Sequence, residues 1–208
     1  IVIISNEPAW RDYWKHTGHT PDYSPVRTGL QRLLDEGCED DVVRLVEKLF
    51  IRGIEQIEQA HDEGETADEL VRTLPIVFKA LAKCSLPDTD KLERAVDYGL
   101  RDDYGLCQVL DEFFQRKFGK KTWSDLADRL LARLRDVKPE AGEGAFSLDY
   151  QRDHLSSEVV RALGNAGRDD EAIAICFREA EVTGSYERLV KKLREAGRKA
   201  EAEEWIRK

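Results

Sequence analysis

Two groups of histidines and carboxylates have spacings that could hold a metal ion. In the first group, His16 and His19 lie three residues apart, with Asp12 one helical turn earlier and Asp22 just beyond. Imidazole nitrogens and carboxylate oxygens are common ligands of zinc and related divalent ions. Gly18 between the histidines is instead typical of a helix end, where His is a common surface residue. We favour the surface interpretation and keep metal binding by His16 and His19 as the alternative.

The second group is a Glu-x-x-His pair, Glu58 and His61, with Glu55 and Asp62 nearby. On a helix this spacing places both side chains on one face, as in helical sites that bind two metal ions through carboxylates. Such a site needs a second Glu-x-x-His pair, and the sequence has none. We therefore predict a solvated helix face here. The fourth histidine, His154, has no evident partner in the sequence, and we interpret it as structural or exposed.

One short turn alternates basic and aromatic residues, which is the local form of a nucleic-acid-binding patch. The whole chain has 33 Lys and Arg against 42 Asp and Glu, and its net charge of -9 disfavours binding to phosphates. We therefore interpret the turn at 116–121 as a solvated connection between helices with two apolar anchors. A nucleic-acid-processing role stays the alternative. The residues concerned are Arg116, Lys117, Phe118, Lys120, Lys121 and Trp123.

The composition predicts a cytoplasmic protein. Hydrophobic residues make up 41% of the 208 residues, enough to build a core. The longest apolar run, at 1–4, is too short to span a membrane or to act as a signal peptide. The chain contains no Met, which leaves open that it is a processed piece of a longer protein. Four cysteines lie far apart among apolar residues with helical spacing, which predicts reduced, mostly buried thiols: Cys38, Cys84, Cys107 and Cys176.

Apolar residues recur at helical spacing along nearly the whole chain, and no stretch alternates for long enough to indicate a strand. We therefore predict an all-α fold. Pro8 is typical of the start of a first helix, and Trp10, Tyr13 and Trp14 would then share one face.

Caps and breakers place the next helix boundaries. Ser24 as N-cap, with Pro25 at the first helical position, predicts the start of the second helix. Thr66 and Glu69 form a capping box at the start of the fourth, which Pro75 is expected to kink. The other predicted helices cover residues 40–64, 88–100, 103–117, 122–135, 147–166, 169–182, 185–196 and 198–208.

The segment at 136–147 has one Pro, two Gly and no helical period, so we predict a linker there. It would separate an N-terminal helical block, 1–136, from a C-terminal block of helical hairpins, 148–208. The alternative is one continuous array.

A glycine-centred pattern occurs twice near the C-terminus. LGNAGRDDEAIAIC at 163–176 and LREAGRKAEAEEWI at 193–206 share a Leu four residues before the Gly and an Ala five residues after it. Gly suits the left-handed conformation that ends a helix, and Ala lets the next helix pack closely. LLDEGCEDDVVRLV at 33–46 is a weaker third copy. The pattern predicts hairpins stacked in an irregular α-solenoid, a tetratricopeptide-like array, and an ordinary helical bundle is the alternative.

The same pattern predicts which side chains are buried in the hairpin seams. Glu201 and Glu203 should face water. The expected buried residues are Leu163, Ala172, Ile175, Leu193, Ala202 and Trp205.

Four segments, in their order along the chain, resemble a known family: DYSPVRTGLQRLLDEGCEDDVVRLVEKLFIRGIEQIEQAHDEGE, LRDDYGLCQVLDEFF, TWSDLADRLLARL and YERLVKKLREAGRKAEAEEWIRK. They are similar to the helical region that follows the zinc finger in bacterial SWIM-type zinc-finger proteins, and the similarity covers about Asp22 to Lys208. The family's finger uses a Cys-x-Cys pair followed by Cys-x-His. No Cys-x-Cys pair occurs here, so no zinc ligand is carried over. The resemblance implies a helical repeat region of uncharacterised role, an interaction scaffold that is separated from its finger or lacks one.

The sequence favours a non-enzymatic protein-binding scaffold, with a protein partner, no membrane partner and no assigned catalytic, cofactor or metal residue. Stacked helices offer a long surface for recognition. Trp10, Tyr13 and Trp14 form the best candidate for the binding surface, and a core or oligomer-contact role is the alternative for them. The alternative is a metal-dependent or nucleic-acid-processing accessory protein that uses His16 and His19 or the turn at 116–121.

Overall fold

The structure is a computed structural model that describes residues 8–12, 14–15, 17–137, 145–183 and 186–207. These residues are mostly helical, which confirms the predicted all-α class at the level of secondary structure, apart from one pair of short strands. The strands are β1 (Trp10–Asp12) and β2 (Thr17–His19). The ten helices are α1 (Ser24–Asp35), α2 (Glu39–Gln59), α3 (Glu65–Lys83), α4 (Asp88–Leu100), α5 (Leu110–Phe114), α6 (Lys120–Asp136), α7 (Ala145–Ala166), α8 (Asp169–Thr183), α9 (Tyr186–Glu195) and α10 (Lys199–Ile206).

The chain forms two compact units, unit 1 (residues 1–116) and unit 2 (residues 117–208). This division differs from the predicted blocks 1–136 and 148–208. Helices α6 and α7, which flank the predicted linker, pack against each other within unit 2. Residues 138–144 of that linker lie outside the described part of the chain.

The N-terminal residues form a β-hairpin, and the predicted first helix is wrong. Strands β1 and β2 pair antiparallel, with Trp10 opposite His19 and Arg11 opposite Gly18. Asp12 closes the turn, because its Oδ1 accepts the backbone N–H groups of Trp14 and Lys15, each at 3.1 Å. A Cβ at Gly18 would lie 2.9 Å from the carbonyl oxygen of Trp10, so this close pairing favours glycine.

Helix α1 begins at Ser24 with Pro25 in its first turn, at the predicted place, but its N-cap is Tyr23 and not Ser24. Helix α3 begins differently from the prediction. Asp62 accepts the N–H groups of Gly64 (2.9 Å) and Thr66 (3.1 Å) and the Thr66 hydroxyl (2.5 Å). Burial raises the pKa of Asp62, but these hydrogen bonds outweigh burial and hold the pKa below its usual value. Asp62 therefore caps α3, and the predicted capping box of Thr66 and Glu69 is wrong.

The prediction of a long helix at 103–117 is also wrong, because α5 covers only Leu110–Phe114. The Asp102 carboxylate accepts the backbone N–H groups of Leu106 (2.8 Å) and Cys107 (2.7 Å). Gly105, which lies between Asp102 and Leu106, has a φ of 69°. These contacts hold residues 102–107 in a loop, so the helix begins only at Leu110.

Aromatic rings from four helices form a series through the core of unit 1. Ring centroids are 5.3 Å apart for Phe50 and Tyr98, 6.1 Å for Tyr98 and Phe78, and 5.6 Å for Phe78 and Phe113. Gly53 of α2 permits a close approach of α3, since a Cβ there would meet the Leu70 side chain at 2.6 Å. The core of unit 1 therefore fixes α2, α3, α4 and α5 against one another.

Three helix-to-helix turns have the same backbone geometry. The glycines Gly37, Gly167 and Gly197 have φ of 77°, 78° and 76°. In each turn the N–H after the glycine donates to the carbonyl oxygen of the Leu four residues before it, at 2.8, 2.9 and 2.8 Å. This is the bonding pattern of the Schellman motif, in which glycine has no steric penalty. The glycine-centred pattern therefore predicted the turn conformation as well as its position.

Each of these turns leads into a helix that begins two residues after the glycine. In unit 2 the helices pack in chain order, α6 on α7, α7 on α8, α8 on α9 and α9 on α10. Two arginines also bond a helix that lies two positions earlier in the chain order. Arg168 bonds Asp128 of α6 at 2.6 Å, and Arg188 of α9 bonds Asp153 of α7 at 2.9 Å.

Five of the six side chains predicted to lie in the hairpin seams are buried: Leu163, Ala172, Ile175, Leu193 and Ala202. The sixth, Trp205, is partly exposed, and its ring stacks on Tyr186 with centroids 5.6 Å apart. The prediction that Trp205 is buried is therefore wrong. Glu203 faces water as predicted, whereas Glu201 is half-buried and pairs with Arg198.

Replacing Ala172 with Leu should overpack the seam between α7 and α8. Ala172 is 0% exposed, and the extra volume should cost about 1–3 kcal/mol in the free energy of unfolding. Ala174→Leu is the matched control, because Ala174 is exposed on the same helix. Urea denaturation followed by circular dichroism measures both. Equal stability of the two variants would contradict the packing described for this hairpin.

A buried ion pair joins α7 to α8. Arg152 donates to both carboxylate oxygens of Glu179, at 2.7 and 3.0 Å, and also to the Val137 carbonyl oxygen. Arg178, half exposed, donates to the same carboxylate at 2.8 Å. Glu179 is 1% exposed, so this pair lies inside unit 2, beside the end of α6.

Candidate recognition surface at the N-terminal hairpin

The hairpin of β1 and β2 holds the most exposed large apolar side chain among the described residues. Trp14, at the turn, is 95% exposed, and Trp10, on β1, is 43% exposed. An indole ring offers a large apolar area with few rotatable bonds, so tryptophan is enriched where proteins bind partners. We call the hairpin of β1 and β2, on which Trp10 and Trp14 are exposed, the tryptophan hairpin.

The tryptophan hairpin is fixed to the connection between α2 and α3. The Ala9 carbonyl oxygen accepts the His61 N–H at 3.2 Å, and Trp10 forms a parallel bridge with His61. The Arg11 guanidinium bonds the carboxylates of Glu63, at 3.0 Å, and Glu65. These contacts hold the base of the hairpin while Trp14 projects into solvent.

Trp10 and Trp14, the predicted candidates for a binding surface, are exposed, but the conformation predicted for them is wrong. Trp10 and Trp14 were expected to share a helix face with Tyr13, whereas they lie on a strand and on its turn. Tyr13 lies outside the described residues. The contacts of Arg11 with Glu63 and Glu65 were missed, since those residues are more than fifty positions apart in the chain.

Of the predicted pair His16 and His19, the structure describes only His19. His19 is exposed on β2 opposite Trp10, and His16 lies outside the described residues. Helix α2 ends at Gln59, and Ala60 is extended. The prediction that Glu58 and His61 share a helix face is therefore wrong. Across the described ranges, no group of three or more His, Cys, Asp and Glu residues could hold a metal ion.

The fourth histidine has a partner one helical turn away. The rings of His154 and Tyr150 on α7 have centroids 4.2 Å apart. This spacing of four residues places the two rings on the same face of the helix. His154 is partly exposed, which agrees with its interpretation as a structural or surface residue.

The basic turn is split between the two units, because Arg116 belongs to unit 1 and Lys117 to unit 2. Trp123 is 4% exposed and packs edge-on against Phe118, with centroids 6.0 Å apart. A buried indole cannot stack on a nucleic-acid base, so the aromatic part of the patch acts as an apolar anchor. Lys121 pairs with Asp125 at 3.1 Å.

The cysteines are mostly buried, as predicted. Cys84, Cys107 and Cys176 are buried, and Cys38 is partly exposed. Burial raises the pKa of the Cys107 and Cys176 thiols. Both therefore stay protonated near neutral pH, where a thiol is a poor nucleophile.

No protein-family model matches the chain, and neither a curated protein nor a solved structure matches it. None of the helices in the described ranges combines the length with the apolar content that a membrane crossing requires.

Proposed function

We propose that the chain is a non-enzymatic protein-binding scaffold built of stacked helical hairpins, and that the tryptophan hairpin is its recognition surface. The observation that carries the proposal is the 95% exposure of Trp14. Covering one aromatic side chain removes about 150–250 Å² from water, which favours binding by several kcal/mol before the costs of association.

The helices provide the support that such a surface needs. The base of the hairpin is fixed to the α2–α3 connection by backbone bonds and by Arg11. A surface held by a rigid framework loses little conformational entropy on binding. The three turns of equal geometry and the chain-order packing in unit 2 favour a stacked array over an unrelated bundle. The resemblance to SWIM-associated helical regions implies the same role and stays a prediction.

The alternative, a metal-dependent or nucleic-acid-processing accessory protein, has less support. It would use His16 and His19 or the basic turn at 116–121. The basic turn lacks an exposed aromatic side chain at Trp123, and Lys121 is paired with Asp125. Each feature reduces the stacking and phosphate contacts that nucleic-acid binding would require.

Photo-crosslinking from the hairpin tip tests the proposed function. We expect p-benzoylphenylalanine at position 14 to crosslink a specific protein in a lysate of the source organism, because the partner covers this residue. The matched controls carry the same group at Tyr104 or Tyr150, which are 44% and 49% exposed and lie outside the hairpin. The measurement is the yield of crosslinked product by mass spectrometry.

Trp14→Ala should also weaken capture of that crosslinked protein about tenfold or more, as expected for a central interface tryptophan. Its fold should be unchanged, since Trp14 makes little contact with the rest of the chain at 95% exposure. Equal crosslinking from positions 14, 104 and 150, or none from position 14, would reject the proposal.

A further inference from the structure

The net charge of the chain is concentrated in the unit that carries the tryptophan hairpin. Unit 1 has 14 Lys and Arg against 24 Asp and Glu, a net charge of -10. Unit 2 has 19 against 18, a net charge of +1. A partner that approaches unit 1 therefore meets a negative field, which favours an oppositely charged segment and speeds its association.

Among the described residues, carboxylates also outnumber cations around the turn and the base of the tryptophan hairpin, which matters because salt screens charges beyond about 8 Å. Arg11 lies at the base and Lys15 at the turn, and each is paired with a carboxylate there. The Glu63 and Glu65 side chains stay 60% and 37% exposed despite their bonds to Arg11. The local carboxylates are Asp12, Asp62, Glu63 and Glu65.

The exposed indole of Trp14 favours the same kind of partner. The face of an aromatic ring carries partial negative charge and attracts cations, and tryptophan does so most strongly. A guanidinium group can stack flat on the ring while its other donors bond carboxylates. An acidic segment would be repelled by Glu63 and Glu65, and an apolar segment would gain nothing from them.

We propose that the segment of the partner that covers Trp14 is rich in Arg and Lys. This proposal rests on the proposed function, because it names the chemistry of the partner at the same surface. The basic side chains stack on Trp14 and reach the carboxylates at the base of the hairpin. Charge complementarity around an apolar residue then selects the partner, with apolar burial supplying much of the affinity.

Synthetic peptides of one length test this chemistry directly. Three fluorescein-labelled peptides alternate Gly and Ser with Arg, Gln or Glu at matched positions, and fluorescence anisotropy measures binding to the full chain. We expect the Arg peptide to bind about tenfold more tightly than the Gln peptide and the Glu peptide to bind weakest. Trp14→Ala should weaken binding of the Arg peptide about five- to tenfold.

Two further variants separate the surface from general attraction to an acidic unit. Tyr150→Ala, a change at an exposed aromatic residue of unit 2, should leave the affinity for the Arg peptide unchanged. The double variant Glu63→Gln, Glu65→Gln should lower that affinity and reduce its dependence on salt. Unchanged binding of the Arg peptide to Trp14→Ala, or equal affinity for the Arg and Gln peptides, would overturn the proposal.

The two proposals fail in different ways. If position 14 crosslinks a protein through a neutral or acidic segment, the chain binds proteins at the tryptophan hairpin but the basic-segment proposal is wrong. If position 14 crosslinks nothing, the proposed function itself is wrong. Crosslinking to a segment rich in Arg and Lys, with the expected order of peptide affinities, supports both.

Discussion

Glu179→Ala is expected to lower the free energy of unfolding by about 3–5 kcal/mol. Glu179 is 1% exposed and accepts two bonds from Arg152, whose side chain is 10% exposed. Removing the carboxylate leaves a buried guanidinium with the Val137 carbonyl oxygen as its remaining described acceptor. An uncompensated charge inside a protein costs far more than a lost surface pair.

The control for Glu179 is an ion pair of similar geometry in water. Glu171 bonds Arg168 through two nitrogens, each at 2.7 Å, but its side chain is 54% exposed. Glu171→Ala should therefore cost less than about 1 kcal/mol. Chemical denaturation with two-state analysis measures both variants. A loss below about 1 kcal/mol for Glu179→Ala would show that the Arg152 guanidinium is not dehydrated as the structure has it.

A double substitution separates the two contributions of the buried pair. Replacing Arg152 with Met and Glu179 with Leu removes both charges and keeps apolar volume in the seam. The double variant should be more stable than Glu179→Ala and close to the original chain, because neither partner is left alone. If the double variant is as unstable as Glu179→Ala, packing around the pair dominates over charge.

Leu163→Ala and Leu193→Ala are expected to cost about 2–5 kcal/mol each, because both side chains are 0% exposed in the hairpin seams. The alanine leaves a cavity while the carbonyl oxygen still accepts its turn hydrogen bond. Leu33→Ala should cost less, since Leu33 at the equivalent position is partly exposed. Thermal and urea denaturation rank the three variants.

Ile206→Ala is the control for these core substitutions, because Ile206 is 55% exposed. It should change stability by less than about 0.5 kcal/mol. The interpretation of Leu163 and Leu193 as seam residues would be contradicted if they cost no more than Ile206.

The turns were predictable because their determinants are local. Gly167 and Gly197 each follow a Leu by four residues and precede a buried Ala by five. All the atoms that form the Schellman bonds lie within six residues. A pattern of residue types therefore contains enough information to predict a helix end.

The tryptophan hairpin was mispredicted for the opposite reason. Its strands have three residues each, too few for an alternating pattern to stand out. Its determinants are the bonds from Asp12 to the turn, the close approach at Gly18 and the attachment to His61. The last of these joins residues about fifty positions apart, which no local pattern can predict.

The buried pair of Arg152 and Glu179 was missed, although the sequence held part of its signal. Glu179 lies at helical spacing from Ala172, Ile175 and Cys176, all on the buried face of α8. A carboxylate on an apolar stripe requires a partner. Which of the many arginines supplies it depends on how α7 and α8 pack.

The chain-order packing of unit 2 has a consequence for how the unit folds. Each main contact joins helices that follow one another in the chain, so each new contact closes only a short loop. Low contact order is associated with fast folding, because little chain entropy is lost before stabilising contacts form. Unit 2 can therefore assemble by the addition of one helix at a time. In the reverse direction α10, which packs mainly on α9, is the first helix expected to open, so amide exchange should be fastest at that end.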